Sequence, residues 1–253
     1  MTRQAHIHSF ALIVPKPTIP EPLVSGLPRV PQFISHRGAH QTLPENSVPA
    51  FLRAIEMGAT AIELDVHGSS DGVLFVHHDA EVNAPGLSRR GIAEMSATAV
   101  RKLRLDGDIQ IPTLGEVLEA VDRDATVYVE IKAQAIEPLV VRAIREQTTE
   151  CAVHSFDHRI VRTVKTIFPA MRTGVLQVAR HVEPVASLMA TGAQDLWQEV
   201  SFIDEELVAA AHAVHARVIA WTANDAEQWK TLRRIGVDGI CTDLIAELAT
   251  FKW

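Results

Sequence analysis

Two short runs in this sequence of 253 residues bring carboxylates together in a pattern suited to caging a cation. In Ile62-Glu63-Leu64-Asp65-Val66 the side chains of a strand alternate, so Glu63 and Asp65 share one face and the aliphatic residues share the other. Val127-Tyr128-Val129-Glu130-Ile131-Lys132 repeats the arrangement, with Tyr128, Glu130 and Lys132 opposite three β-branched residues. If the aliphatic faces pack against helices, three acids enter one interior. Ionised and removed from water they would repel one another, and a divalent cation resolves that conflict. An all-oxygen ligand set favours magnesium or calcium, with manganese as a third candidate, over zinc. The competing reading pairs Glu63, Asp65 and Glu130 with arginines as salt bridges, but two separate strands put their acids opposite the packing face.

Histidines arrive at the same place. Asp71-Gly72 is a two-residue type I′ hairpin signal followed by Val73-Leu74-Phe75-Val76-His77-His78-Asp79. With Asp71 and Gly72 at the turn centre, paired positions sum to 143, which sets His78 directly across from Asp65 and turns His77 to the other face, to pack or be solvated. A first strand ends in Ser35-His36-Arg37-Gly38. Two imidazoles, with ordinary pKa near 6.5, suit taking a proton from one oxygen and delivering one to another. Arg37 can fork onto phosphate oxygens and Lys132 adds a compact positive charge, so that both would stabilise a phosphoryl centre gaining negative charge. The plainer alternative is that these two cations only neutralise the acids.

The elements that must hold these groups follow a βα alternation after residue 32, with strands expected near 33–36, 61–66, 127–132, 151–155, 173–178, 196–200, 217–222 and 239–242. Eight strands close a single (β/α)8 TIM barrel, with a β-hairpin and a short insertion, 79–110, over the C-terminal rim after the second strand. One helix is capped by Asn46 or Ser47 and stopped by Gly58; another, 204–215, starts at Asp204 and buries Leu207, Val208, Ala211 and Val214. Residues 1–31 hold six of the thirteen prolines and read as an extended leader, leaving 32–253 as the barrel.

Composition narrows the partners. A formal net charge of −7 gives no long-range attraction for nucleic acid, so phosphate must be held by a few placed groups. The apolar run Phe10–Val14 is followed at once by prolines and lacks a cleavage pattern, and stable membrane insertion is not expected. Cys151 and Cys241, far apart and without CxxC spacing, read as small buried apolar residues of a reducing, cytoplasmic setting. A homo-oligomer is left open.

These motifs resemble the glycerophosphodiester phosphodiesterase family over nearly the whole chain from His36. The resemblance rests on His36-Arg37-Gly38, Pro44-Glu45-Asn46-Ser47, Glu63-Leu64-Asp65, Asp71-Gly72 leading to His78-Asp79, Pro112-Thr113-Leu114, Glu130-Ile131-Lys132, Ser155-Phe156, Trp221-Thr222-Ala223-Asn224 and Gly236 to Asp243. It implies Glu63, Asp65 and Glu130 as ligands of one divalent cation, His36 and His78 as the acid–base pair, and Arg37 and Lys132 on the phosphate. Glu45 would lie near the metal and Trp221 would line the alcohol side. It further implies a small glycerophosphodiester substrate, yielding glycerol 3-phosphate and an alcohol, through a cyclic phosphate or by direct attack of water. Ser47 stands where threonine is usual, Leu244 where proline is often seen, and His215-Ala216 where a glycine commonly precedes the seventh strand. Glu199, in an untypical segment, is a further candidate to face the pocket.

Three alternatives remain on the sequence. A related phosphodiesterase acting on lysophospholipids, sphingolipids or phosphoinositides would need an apolar rim, and 5% aromatic content argues for water-soluble diesters. A non-catalytic phosphate-binding barrel would not need both histidines, and a metal-dependent lyase or isomerase would leave Arg37 and Lys132 without a task.

Overall fold

The computed structural model describes residues 30–82 and 90–253. In chain order its strands are β1 (Gln32–His36), β2 (Ala61–Gly68), β3 (Leu74–Val76), β4 (Glu81–Val82), β5 (Arg90–Gly91), β6 (Arg104–Leu105), β7 (Ile109–Gln110), β8 (Thr126–Ile131), β9 (Cys151–Ser155), β10 (Arg172–Gln177), β11 (Asp195–Glu199), β12 (Arg217–Trp221) and β13 (Gly239–Thr242). The helices are α1 (Val48–Glu56), α2 (Ala97–Val100), α3 (Leu114–Val121), α4 (Glu137–Arg145), α5 (His158–Ile167), α6 (Ala186–Thr191), α7 (Glu205–Ala213), α8 (Ala226–Arg234) and α9 (Ile245–Thr250).

Strands β1, β2 and β8 to β13 pair in parallel, and β1 pairs with both β2 and β13, so the sheet closes into the expected eight-stranded barrel. Strand β3 adds to β2 outside the ring. Side-chain parity explains the two cores. Ile62, Leu64, Val66, Val127, Val129 and Ile131 pack outward with α3, α4 and α5 residues such as Leu118, Val140 and Val164. The alternate positions fill the barrel with Ile34, Tyr128, Ala152, Leu176, Trp197 and Ile219. Gly174 makes room for this filling, since a Cβ there would lie 2.7 Å from Trp197 Cδ1. At the base, Gln32 Oε1 accepts from Tyr128 Oη at 2.7 Å and from Arg217 Nη2 at 2.9 Å, which satisfies groups buried below the site.

Helix starts follow their capping residues. Ser47, rather than Asn46, caps α1, its Oγ accepting from Ala50 N, and Asp204 caps α7 through Leu207 N. Thr113 and Glu116 form a capping box on α3, and Glu116 is clamped in turn by Arg101 from the insertion. His215 takes a left-handed φ of 60° before β12, a conformation that costs least for glycine.

The hairpin register differs from the expectation. Val66 pairs with Val76 and His67 with Phe75, so paired positions sum to 142 and His77, not His78, comes opposite Asp65, with His77 N donating to Asp65 O at 3.0 Å. A type I′ turn needs left-handed backbone at both central residues, but here only Gly72 has it, with φ 82°. The loop takes one more residue because Asp71 is engaged elsewhere: its Oδ1 accepts from Ser69 Oγ at 2.6 Å and from Ala97 N at 2.8 Å.

The insertion was expected without a clear strand. It contains the short ladders β4–β5 and β6–β7, and its Val82, Ile92, Met95, Val100 and Leu103 form an apolar cluster with the flanking Phe75 and Ile111. Of the leader over 1–31, all but Val30 and Pro31 lies outside the described residues. No helix among the described residues is long and apolar enough to cross a membrane.

Candidate active site

The strand register gathers the chemistry at the C-terminal end of the barrel. His36 is aligned with Glu63, Asp65 with Glu130, and Glu130 with His154, so aligned residues on neighbouring parallel strands point to the same side. Arg37 follows β1 in a left-handed conformation (φ 55°), with its N–H donating to Glu63 O at 3.0 Å. Gly38 continues the bend at φ 85°, where a Cβ would meet Ala50 C at 2.7 Å. The result is a cavity of about 220 Å³ lined by the polar residues His36, Arg37, Glu63, His78, Glu130, Lys132 and His154 together with Phe156, Leu176, Trp197, Trp221 and Cys241. Phe156 meets Trp221 edge to face with centroids 5.4 Å apart.

The acids are not equally compensated. Asp65 holds two cations, Arg37 Nε at 3.2 Å and Lys132 Nζ at 3.3 Å, and accepts from Asn46 Nδ2 at 2.9 Å. Burial pushes the Asp65 carboxyl up, but Lys132, Arg37 and Asn46 together bring it below its ordinary value. Among the described residues Glu130 has one cation partner, Lys132 Nζ at 3.1 Å. Glu63 has no lysine or arginine in contact among the described residues; its neighbours are His154 Nε2 at 3.5 Å and His36 Nε2 at 4.0 Å, and its buried Oε2 has no hydrogen-bond partner. Burial first and Asp65 second push Glu63 up to about 8, and the same two causes push Glu130 up to about 7. Burial also takes the His154 imidazole down to about 4, so it stays neutral and brings no positive charge to Glu63.

Glu63, Asp65 and Glu130 therefore enter one end of the barrel, as expected, but Asp65 does not line the cavity. Ligand atoms of Glu63, Glu130 and His154 lie within 4.8 Å of one another. The salt-bridge alternative holds for Asp65 and fails for Glu63. A divalent cation fits the arrangement: one buried carboxylate oxygen lacks a partner, burial and the Asp65 charge raise two carboxyls, and the carboxylates offer hard oxygen donors.

Both histidines face the cavity with Nδ1 engaged, His36 by Asp243 Oδ1 at 2.7 Å and His78 by Asp79 Oδ1 at 2.8 Å. His78 gets there although the register is shifted by one, because the chain leaves the ladder after Val76; His67 Nε2 bonds His78 O at 3.1 Å. His77 turns to Asp79 O at 2.8 Å. Glu45 reaches Arg37 Nη1 with both oxygens at 3.3 Å. Trp221 lines the cavity as expected, whereas Glu199 caps Ser201 N at 3.0 Å and is not among the lining residues. Cys241 is buried, but Cys151 is only half-buried.

Sequence reasoning missed four contributors. His154 was readable, because the parity of Cys151–Ser155 turns Ala152 and His154 inward. Asn46, a cap candidate and a motif residue in the sequence, instead sits at φ 55° and bonds Asp65 across 19 residues. Asp243 and His40 meet through a contact between distant parts of the chain, with His40 Nε2 at 2.9 Å from Asp243 Oδ1, and no local pattern announces that pairing.

Comparison with known proteins gives consistent matches. The profile of the Glycerophosphoryl diester phosphodiesterase family matches residues 36–247. A glycerophosphodiester phosphodiesterase of Caldanaerobacter subterraneus subsp. tengcongensis is 34% identical, over 83% of this chain and 93% of its own. Among solved structures, an Oleispira antarctica phosphodiesterase in complex with the product sn-glycerol-3-phosphate superposes with TM-score 0.80 at 22% identity, covering 87% of this chain and 95% of that one. A Parabacteroides distasonis glycerophosphodiester phosphodiesterase does so with TM-score 0.79 at 23% identity, covering 88% and 96%.

Proposed function

Because this chain belongs to the glycerophosphoryl diester phosphodiesterase family, we propose that it hydrolyses small, water-soluble glycerophosphodiesters to glycerol 3-phosphate and an alcohol by histidine acid–base chemistry at a single divalent cation. The observation that carries this reading is one cavity lined by His36, His78, Arg37, Lys132, Glu63 and Glu130 together. The product held by the Oleispira antarctica relative supports glycerol 3-phosphate as the product here.

Glu63, Asp65 and Glu130 would hold magnesium or calcium, with manganese also suited to the oxygen donors, and His154 backs Glu63 as a neutral neighbour. When bound, the cation supplies positive charge to phosphate oxygens and glycerol hydroxyls. Arg37 and Lys132 take the remaining phosphate oxygens, and Glu45 holds the Arg37 guanidinium in place. One imidazole removes the proton from the attacking oxygen as the other protonates the departing alcohol oxygen; their order is set by which side of phosphorus each faces. If the attacking group is the neighbouring glycerol hydroxyl, a cyclic phosphate forms. It is opened by water with the two imidazoles exchanging roles. Direct attack by water is a single step, with one imidazole as base and the other as acid and no exchange of roles. Phe156 and Trp221 would line the pocket of the alcohol. The unpaired cysteines agree with a cytoplasmic setting.

The His36→Ala and His78→Ala variants test this directly. Each should lose about 10² to 10⁴-fold in turnover, the scale for losing a general acid or base, while calorimetric magnesium affinity stays near the parent value. Parental turnover in either variant would remove that histidine from the mechanism.

A further inference from the structure

We infer that Asp243 is the positioning residue of His36, fixing its tautomer and ring orientation, and that His40 is a second donor on the same oxygen with no part in the chemistry. The inference rests on the proposed acid–base role of His36. Asp243 Oδ1 lies 2.7 Å from His36 Nδ1, so Nδ1 carries the proton and Nε2, on the Glu63 side at 4.0 Å, is left as the basic nitrogen. The carboxylate is itself held. Asn224 Oδ1 accepts from Asp243 N at 2.9 Å and from Thr242 Oγ1 at 2.9 Å, which fixes the amide so that its Nδ2 faces Asp243 Oδ2, at 2.6 Å. Asp243 immediately follows β13, which is laddered to β1, so carboxylate and imidazole sit on adjoining strand ends. His78 has a looser counterpart in Asp79, whose side chain is 60% exposed against 22% for Asp243.

An Asp243→Asn side chain keeps the shape but can present its N–H₂ to Nδ1, which stabilises the opposite tautomer and leaves Nε2 protonated. We expect kcat to fall by about 10² to 10⁴-fold, with KM changed less than about threefold, since a misdirected general base weakens the transition state and not substrate binding. In a His36→Ala background the same substitution should cost less than about twofold, because its route of action is already gone. His40→Ala should stay within about threefold of the parent. Asn224→Ala gives a second, milder probe: a smaller kcat loss that likewise disappears in the His36→Ala background.

The outcomes separate the two layers. Parental kcat in Asp243→Asn with His36→Ala inactive overturns the positioning role and leaves the acid–base reading intact. Undiminished activity in His36→Ala sinks that reading itself. A further large loss from Asp243→Asn on top of His36→Ala, or a His40→Ala loss as large as that of Asp243→Asn, means Asp243 acts by another route and also overturns the inference. Magnesium-induced thermal shifts on each variant identify any that fails to fold, in which case the Asn224→Ala pair decides.

Discussion

His154 Nε2 lies 3.5 Å from Glu63 Oε1, and both side chains are almost wholly buried. The imidazole stacks on Trp197 with ring centroids 4.3 Å apart, and burial holds it neutral. A neutral neighbour fixes the carboxylate without cancelling the charge that draws a cation, which a lysine or arginine in its place would do.

Replacing His154 by Ala should therefore act on stability and on the cation separately. We expect a loss of about 3 kcal/mol, the scale for emptying a buried aromatic site, and about a 10- to 100-fold weaker magnesium affinity, the scale for losing a group that orients a ligand. Denaturant unfolding and calorimetry measure the two. Unchanged affinity in a folded variant would mean that Glu63 is positioned by its strand alone.

Stability should depend on pH in a way set by Glu63 and Glu130. Their ordinary value is 4.5, and folding raises them to about 8 and about 7. Between those limits the folded chain holds protons that the unfolded chain releases, so without a cation stability falls as pH rises through this window. A cation takes the place of those protons and gains affinity as they leave. The magnesium-induced rise in melting temperature should be clearly larger at pH 8 than at pH 6. Equal rises at both would show that the two acids are already ionised.

Lys132 bridges Asp65 at 3.3 Å and Glu130 at 3.1 Å, so its removal separates two roles. Lys132→Met should bind magnesium at least as tightly as the parent, because a competing positive charge is gone, yet lose about 10²-fold in kcat/KM, the scale for losing one donor on the reacting group. If saturating magnesium restored full activity, the lysine would serve only to neutralise the acids.

Much of the barrel was legible because parity along β2 and β8 is unambiguous: aliphatic residues on one face, acids on the other. The same rule applied to β9 would have yielded His154. The hairpin register was misread by one residue because the Asp71-Gly72 pair was treated as a self-contained turn, whereas Asp71 is bound by Ser69 and Ala97. Local turn chemistry cannot foresee a contact 26 residues away. Asp243 and His40 were hidden for the same reason: Asp243 is distant in sequence from both His36 and His40 and meets them only after the barrel closes between β13 and β1.

Gly38 gives a test of how the loop after β1 aims Arg37. At φ 85°, with a would-be Cβ 2.7 Å from Ala50 C, Gly38→Ala should cost roughly 1–3 kcal/mol. It should also lower activity without altering any polar group. Parental stability by urea unfolding would show that α1 yields to the added methyl.

Cleavage should depend on a cation and leave the phosphate on glycerol. Incubation of the purified protein with glycerophosphocholine and magnesium, with and without excess EDTA, should release choline and glycerol 3-phosphate in equal amounts, stop with the chelator and resume when magnesium or calcium is restored. Undiminished release in EDTA, or glycerol and phosphocholine as the products, would contradict it.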